Sequence, residues 1–436
     1  MEYMRLQTPR GVRDFLGAET AAKRSVEEAF HRTFTSWGYQ EVVTPTFEFA
    51  EALALGNGPD MAEKMFRFFD REGNTLALRP EMTTPIGRLV AARLRNAPKP
   101  LRFYYVANVF RYEEPRAGRG REFWQAGVEM LGSTAPAADA EVAALALQSL
   151  EATGLQSFYV DIGHVGYFHG LLAEAGLDEE GRQAIRRALL HRDYVALEEE
   201  LNRAPMSAGS KAALAALPRL RGGLDVLDRA AALTSHPQAH AAVEALRAVV
   251  AVLQDYGLAH RVGIDLGMIK DLDYYTGMVL EAYADTVGFP LCTGGRYDGL
   301  LARFGYPCPA TGFVATVDGI MMALNREKRA RGEEDMYELP PRWLVAASDG
   351  ARGAAFAIAQ RLRAAGESVE LDVEGLRAEA LARAGRERGV QATVFVAADG
   401  SATMEGPPEL RARFAQLTGQ GAPSADSSAA APLWEE

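Results

Sequence analysis

The period of the apolar positions changes several times along the chain, and each change predicts an element. From about Ala18 to Trp37, the residues Ala22, Val26, Phe30, Phe34 and Trp37 recur at helical spacing, an amphipathic helix ending at Gly38. Residues 38–48, GYQEVVTPTFE, read as a strand running into Pro45. Phe66–Asp70 and Thr75–Leu78 flank a Gly73-Asn74 turn and predict a hairpin. Two longer extended runs come next, Phe103–Tyr112 and Arg121–Leu131, joined by a connection rich in Pro, Arg and Gly. They predict an antiparallel hairpin with a long loop. Side chains alternate across a strand, so Trp124, Ala126, Val128 and Met130 share one apolar face and Phe123, Gln125, Gly127 and Glu129 the other. A glutamine and a glutamate beside a glycine predict the floor of a polar pocket.

Downstream, a helix is expected from about Ala137 to Leu150 and a strand over Ser157–Asp161. Residues 165–258 are rich in Ala, Leu and Arg, with breaks at Pro205 and Pro218, and read as a helical insertion. Strand character returns at Arg261–Asp265. After MYELPP, strands Trp343–Ala347, Val369–Asp372 and Thr393–Ala397 alternate with helices Arg352–Ala365 and Glu374–Arg388, a small α/β domain. The expected division is therefore a core of residues 1–164 and 259–328, an insertion at 165–258, a small α/β domain at 341–400, and a disordered small-residue tail at 417–436.

Composition narrows the class. The 436 residues are 48% hydrophobic and 24% charged, ordinary for a globular protein. A net charge of −11 argues against tight non-specific binding to a polyanion, which makes tRNA an unlikely partner. Cys292 and Cys308 form no CxxC pair, so neither a disulfide framework nor a zinc site is signalled and a reducing cytoplasm is expected. No apolar signal core or membrane-length run appears, so no membrane association is expected. His236 and His240 are four apart, as helical metal ligands can be, but no third ligand is near; no metal or cofactor is expected.

Four segments carry candidate chemistry. Arg111, Glu113, Arg116, Arg119 and Arg121 crowd the hairpin connection, and arginine favours forked contacts to phosphate or carboxylate. In LRPEMT, Glu81 and Thr83 offer a carboxylate and a hydroxyl two residues apart, acceptors for an ammonium if the segment is extended. GMIKDLDYYTGMVLEAY contains Tyr274 and Tyr275, with Glu281 on the same run. In CTGGRYDGLLARFG, Gly294 and Gly295 allow close backbone approach in a turn beside Arg296 and Asp298.

Together these segments resemble the class II aminoacyl-tRNA synthetases, most closely the histidyl-tRNA synthetase family. FRYEEPRAGRGREFWQ is similar to the second class II motif, LRPEMT to the family's LRPE-x-T element, and LDYYTG to its histidine signature. GGRYDGL is shared, residues 18–48 resemble the first motif, and GFVATVDGIMMAL resembles the third. The resemblance implies an α+β fold: a class II synthetase-like antiparallel sheet flanked by helices, with a helical insertion and a C-terminal α/β domain like a reduced anticodon-binding domain. It implies a homodimer through residues 18–48. It also implies ammonium contacts from Glu81 and Thr83, and a histidine pocket with Gln125, Glu129, Tyr274 and Tyr275, the tyrosines offering a hydroxyl and an aromatic wall to an imidazole. Arg111 would hold the α-phosphate of ATP.

Two departures redirect the functional expectation. The adenine-stacking arginine of the third motif falls on Gly319, and the catalytic arginine of the histidine signature on Lys270, followed by Asp271. Charge-assisted hydrogen bonds contribute roughly 1.5–3 kcal/mol each, so losing two slows chemistry by some two to four orders of magnitude. LRPEMTTPIGRLVA, with Met82 and Pro85, is similar to the family of regulatory subunits of short-form ATP phosphoribosyltransferase. That resemblance implies a hetero-octamer with a short catalytic subunit, the first step of histidine biosynthesis, and feedback inhibition by bound L-histidine. Catalytic residues are then expected to be absent, and Arg111, Glu113, Arg116, Arg119, Arg121, Lys270 and Arg296 to be a vestigial nucleotide or phosphate pocket. A histidyl-tRNA synthetase, or an enzyme adenylating an amino acid for a non-tRNA acceptor, are the alternatives.

Overall fold

The computed structural model describes residues 6–57, 59–114, 120–269, 275–333 and 342–419. Arg116, Arg119, Lys270, Asp271, Tyr274 and the tail from 420 lie outside them. The chain forms two compact units, divided between Met336 and Tyr337.

In the first unit the strands are β1 (Gln40–Glu41), β2 (Phe47–Phe49), β3 (Arg67–Phe69), β4 (Thr75–Leu78), β5 (Leu101–Phe110), β6 (Glu122–Leu131) and β7 (Phe158–His164). They continue with β8 (Arg221–Gly222), β9 (Val262–Asp265), β10 (Met278–Ala284), β11 (Cys292–Arg296) and β12 (Ala310–Thr316). Among the described residues, nine of them form one sheet in the order β1-β5-β6-β12-β11-β10-β7-β9-β8. It is antiparallel except where β1 meets β5 and where β7 meets β9. The expected strand at 38–48 is split, because Pro45 cannot continue a ladder. Its first piece edges the large sheet, and its second joins β4 and β3 in a small sheet. The expected turn at GGRYDG is divided: Gly294–Arg296 finish β11, a central strand between β10 and β12, and the turn follows from Asp298.

The β5–β6 hairpin pairs over ten residues, from Leu101 opposite Leu131 to Phe110 opposite Glu122. Its two faces divide as the alternation predicts. Beneath one face, Phe34 of the Gly17–Ser36 helix meets Tyr104 and Phe313 at ring distances of 5.5 and 5.9 Å. On the other, the Thr83–Arg93 helix buries Ile86 and Val90 against Tyr105, Val109 and Phe123. That second face carries the candidate site.

Residues 165–255 supply helices Val165–Glu174, Glu179–Leu190, Tyr194–Arg203, Ala208–Ala216, Asp225–Ala232 and Pro237–Asp255. The segment also returns β8 to the sheet, where Arg221 pairs with Asp265, a strand that helical composition concealed. Its ends rejoin the core on neighbouring strands β7 and β9. Among the described residues no helix is long and apolar enough to cross a membrane.

The second unit has β13 (Arg342–Ala347), β14 (Ser368–Leu371), β15 (Ala392–Val396) and β16 (Ala402–Glu405) in the order β14-β13-β15-β16. Trp343, Ile358, Leu362, Val394 and Phe414 form its core. The last helix, Pro408–Thr418, runs past the expected start of a disordered tail at 417, because Phe414 anchors it beneath Trp343.

Candidate functional site

Across the site face of the large sheet, register aligns Tyr105, Gly127, Val314, Thr293, Glu281 and Asp161 in one row over six strands. Gly127 makes the row passable. A Cβ there would lie 2.5 Å from the Tyr105 hydroxyl and 2.6 Å from the Phe313 carbonyl. Above the row is a pocket of about 500 Å³, lined among others by Glu81, Thr83, Arg111, Glu113, Gln125 and Tyr275. Residues from four separate segments of the chain therefore converge.

Glu81 and Thr83 reach the pocket by a different route from the extended segment expected. Thr83 begins a helix, and the Glu81 carboxylate accepts the Thr84 amide at 3.1 Å through each oxygen, capping it. Pro85 suits that first turn, where its missing N–H has no helical acceptor to lose. The Thr83 hydroxyl donates to Glu129 at 2.7 Å, and the Tyr297 hydroxyl donates to the other Glu129 oxygen. Glu129 is 2% exposed and is held beneath the floor by these two donors. Burial outweighs both and pushes its carboxyl up to about 8, with Glu81 adding to the rise. Burial likewise raises the Tyr105 phenol, reinforced by Glu129 and Glu81. The Gln125 side-chain oxygen is buried with no hydrogen-bond partner among the described residues, an acceptor facing the pocket.

The phosphate group of residues divides. The Arg111 guanidinium donates to the Pro80 carbonyl at 2.9 Å and lies 5.2 Å from the Phe123 ring centre. Glu113 pairs with Lys64 at 3.2 Å. Arg121 donates to the Glu113 carbonyl at 3.2 Å and covers the Tyr112 ring. Arg296 does not belong with them. It is buried away from the pocket, with Nε donating to Asp139 at 3.0 Å, and Nη1 to the Ser133 carbonyl at 2.9 Å and to Asp298 at 3.1 Å. It ties β11 to the Pro136–Ala152 helix. Gly294 and Gly295 let neighbouring strands approach closely; a Cβ on Gly294 would meet the Gly312 carbonyl and one on Gly295 the Met278 carbonyl.

Sequence reasoning misses Tyr297, Tyr105, Thr293 and Thr316. Tyr297 stands next to Arg296 in the GGRYDGL motif, but only the fold brings it to Glu129. His236 occupies the N-cap position of the Pro237–Asp255 helix, and the ring of His240 approaches the Thr234 carbonyl at 2.9 Å. Among the described residues, no group of His, Cys, Asp and Glu could hold a metal ion.

Gly319 lies in the first turn of the Val317–Ala330 helix. A Cβ there would be 3.1 Å from Phe289 and 3.2 Å from Leu291, a pocket residue. These side chains would have to give by a few tenths of an ångström to admit a Cβ at this position.

The sheet, its helices and this pocket define a class II, histidyl-tRNA synthetase-like protein. The histidyl-tRNA synthetase family profile matches residues 11–320. Curated relatives include the ATP phosphoribosyltransferase regulatory subunit of Moorella thermoacetica, 45% identical over 380 residues, 87% of this chain and 95% of the relative. That of Symbiobacterium thermophilum is 42% identical over 396 residues, 88% of this chain and 95% of the relative. A crystal structure described as an ATP phosphoribosyltransferase regulatory subunit/histidyl-tRNA synthetase from Bacillus halodurans superposes with a TM-score of 0.79 at 33% identity, covering 90% of this chain and 98% of that one. The chain belongs to the family of ATP phosphoribosyltransferase regulatory subunits.

Proposed function

We propose that this chain binds free L-histidine in the Glu81–Thr83–Gln125–Glu129–Tyr275 pocket, completed by Tyr274, and transmits its presence to a separate short catalytic subunit in a hetero-octamer. It does not itself activate histidine. The observation that carries the reading is asymmetric preservation: carboxylates, hydroxyls and an amide oxygen without a hydrogen-bond partner among the described residues converge on one pocket, while a Cβ on Gly319, where an adenine-stacking arginine would emanate, would crowd Phe289 and Leu291. Arg111, Glu113 and Arg121, with Arg116, Arg119 and Lys270, are then remnants of phosphate binding. Residues 18–48 form a homodimer interface, and the assembly works in a reducing cytoplasm, which suits two buried free thiols.

Inhibition at a distance requires a coupling free energy of typically ~1–3 kcal/mol, so histidine must favour one state of the assembly. The test combines two measurements on one preparation. Histidine-dependent ATP–pyrophosphate exchange is expected to be absent. Calorimetric histidine binding is expected to be present, with inhibition of the reconstituted phosphoribosyltransferase following its saturation. Exchange at synthetase-like rates refutes the non-catalytic role; binding without inhibition refutes the regulatory one.

A further inference from the structure

The second unit has a crevice of its own, formed without any residue of the first. Its sheet sends two successive helices to opposite faces. The Arg352–Ala364 helix leaves β13 and puts Ile358 and Leu362 against Trp343 and Val345. The Ala378–Glu387 helix leaves β14 and puts Leu381 against Leu344 and Ala346, on the other side. β13 and β14 are parallel neighbours, so their carboxyl ends lie side by side while the chain beyond them diverges. Divergence of that kind opens a crevice in an α/β sheet, and ligands of such sheets bind there. Here it measures about 920 Å³, within the range of small-molecule sites.

The lining is of three kinds. Leu371, Val373, Leu376, Phe356 and Phe395 give an apolar wall, much of it uncovered: Val373 is 88% exposed and Phe356 52%. Arg352 and Arg377 also line the crevice, and neither side chain has a hydrogen bond or ion pair among the described residues. Other arginines of this unit are held, Arg342 by Glu370, Arg388 by Glu374 and Arg413 by Glu367. Of the two lining carboxylates, Asp372 is taken up within the protein. It accepts the Glu374 amide at 3.1 Å and the Leu376 amide at 2.6 Å, closing the loop around Gly375 at φ +74°. Asp349, two residues past the end of β13, has no hydrogen-bond partner among the described residues. The four charges cancel in sum but not in hydrogen bonding, since the guanidinium donors are open and the Asp372 oxygens are occupied.

Each kind of lining selects a part of a ligand. Open guanidinium forks take the oxygens of a phosphate. Exposed aromatic side chains take a flat ring. An ionised carboxylate is an acceptor only, and takes hydroxyl donors. A bare sugar phosphate would leave the apolar wall in water, and a hydrocarbon chain would leave the arginines unanswered.

We propose that this crevice is a binding site for a mononucleotide, with the phosphate on Arg352 and Arg377, the base on the Phe356 and Phe395 wall, and the ribose hydroxyls donating to Asp349. It gives the chain a ligand site that shares no residue with the pocket of the first unit.

The test is calorimetric titration of the full chain with AMP, with adenosine and inorganic phosphate as partial probes. AMP is expected to bind at a single site, and each partial probe about tenfold more weakly or worse. Arg352→Ala combined with Arg377→Ala should bring AMP down to the level of adenosine. Phe356→Ala should weaken AMP and adenosine alike. All three side chains are exposed, so the unfolding temperature of these variants should stay that of the parent. Arg111→Ala, in the first unit, should leave AMP binding as it was. AMP binding that survives the double arginine variant and fails in Arg111→Ala puts the nucleotide in the first unit and overturns the inference. Binding of single-stranded RNA but not of AMP overturns it in favour of a nucleic-acid surface, and no AMP binding at millimolar concentration overturns it outright.

Discussion

Glu129 holds a proton where an exposed carboxyl would not. Its folded-state value of about 8 stands against an ordinary 4.5. Below pH 4.5 both native and unfolded chains are protonated and the group is neutral in its effect. As pH rises from there toward 8, the unfolded chain releases the proton and the native chain keeps it, so stability falls; above 8 the loss is complete. A shift of that size corresponds to at most about 5 kcal/mol. Urea midpoints should therefore decline between pH 5 and 8 in the parent, and Glu129→Gln should flatten that decline. A bound ammonium has the reverse preference and favours the carboxylate. Histidine binding near pH 7 is then expected to release up to one proton, measured as a difference in calorimetric heat between phosphate and Tris buffers. Identical heats would count against a protonated Glu129.

At the scale of elements, the Thr83–Arg93 helix and its cap set the terms for any experiment on the ammonium site. Glu81 both faces the pocket and accepts the Thr84 amide. Glu81→Ala removes both functions, and loss of a cap costs about 1 kcal/mol. Glu81→Gln keeps an oxygen for the amide and discards only the charge. Its thermal unfolding should match the parent closely, with histidine affinity lower by tenfold or more, since a charge-assisted hydrogen bond contributes roughly 1.5–3 kcal/mol. Equal affinity in both proteins would remove Glu81 from the site. The same helix shows what is legible in the sequence. The β5–β6 hairpin is readable because a two-residue period assigns every side chain to a face. Glu81 and Thr83 stand out as site residues but read as an extended segment, although Pro85 in a first turn is a helix-start signal. Arg296 has Asp298 beside it in the sequence, but its other carboxylate partner, Asp139, is 157 positions away, and only the packing of β11 beside a distant helix reveals that ion pair.

For the whole molecule, the informative surface is apolar. Val43 is 84% exposed, and Phe47 and Phe49 are more than half exposed. Val43 and Phe47 flank Pro45 within the segment expected to dimerise, Phe49 follows directly after it, and a cluster of exposed apolar side chains marks an interaction surface. Val43→Glu combined with Phe47→Glu should leave far-ultraviolet circular dichroism unchanged and halve the sedimenting mass. A double variant sedimenting as the parent would place the interface elsewhere.

The way the insertion joins the sheet bears on how this lineage can vary. Val160 of β7 and Val262 of β9 are direct partners in a parallel pair, so the chain leaves and re-enters the core on adjoining strands. Closing a loop between fixed neighbours becomes only about 0.6 kcal/mol harder each time the loop doubles in length. Helices can thus be gained or lost between those two strands at small thermodynamic penalty. Two places are less free to drift: β8, whose Arg221 grips Asp161 at 2.6 Å, and Leu190, which lines the pocket. Relatives can differ widely in insertion length and still keep the same pair of footholds on the core.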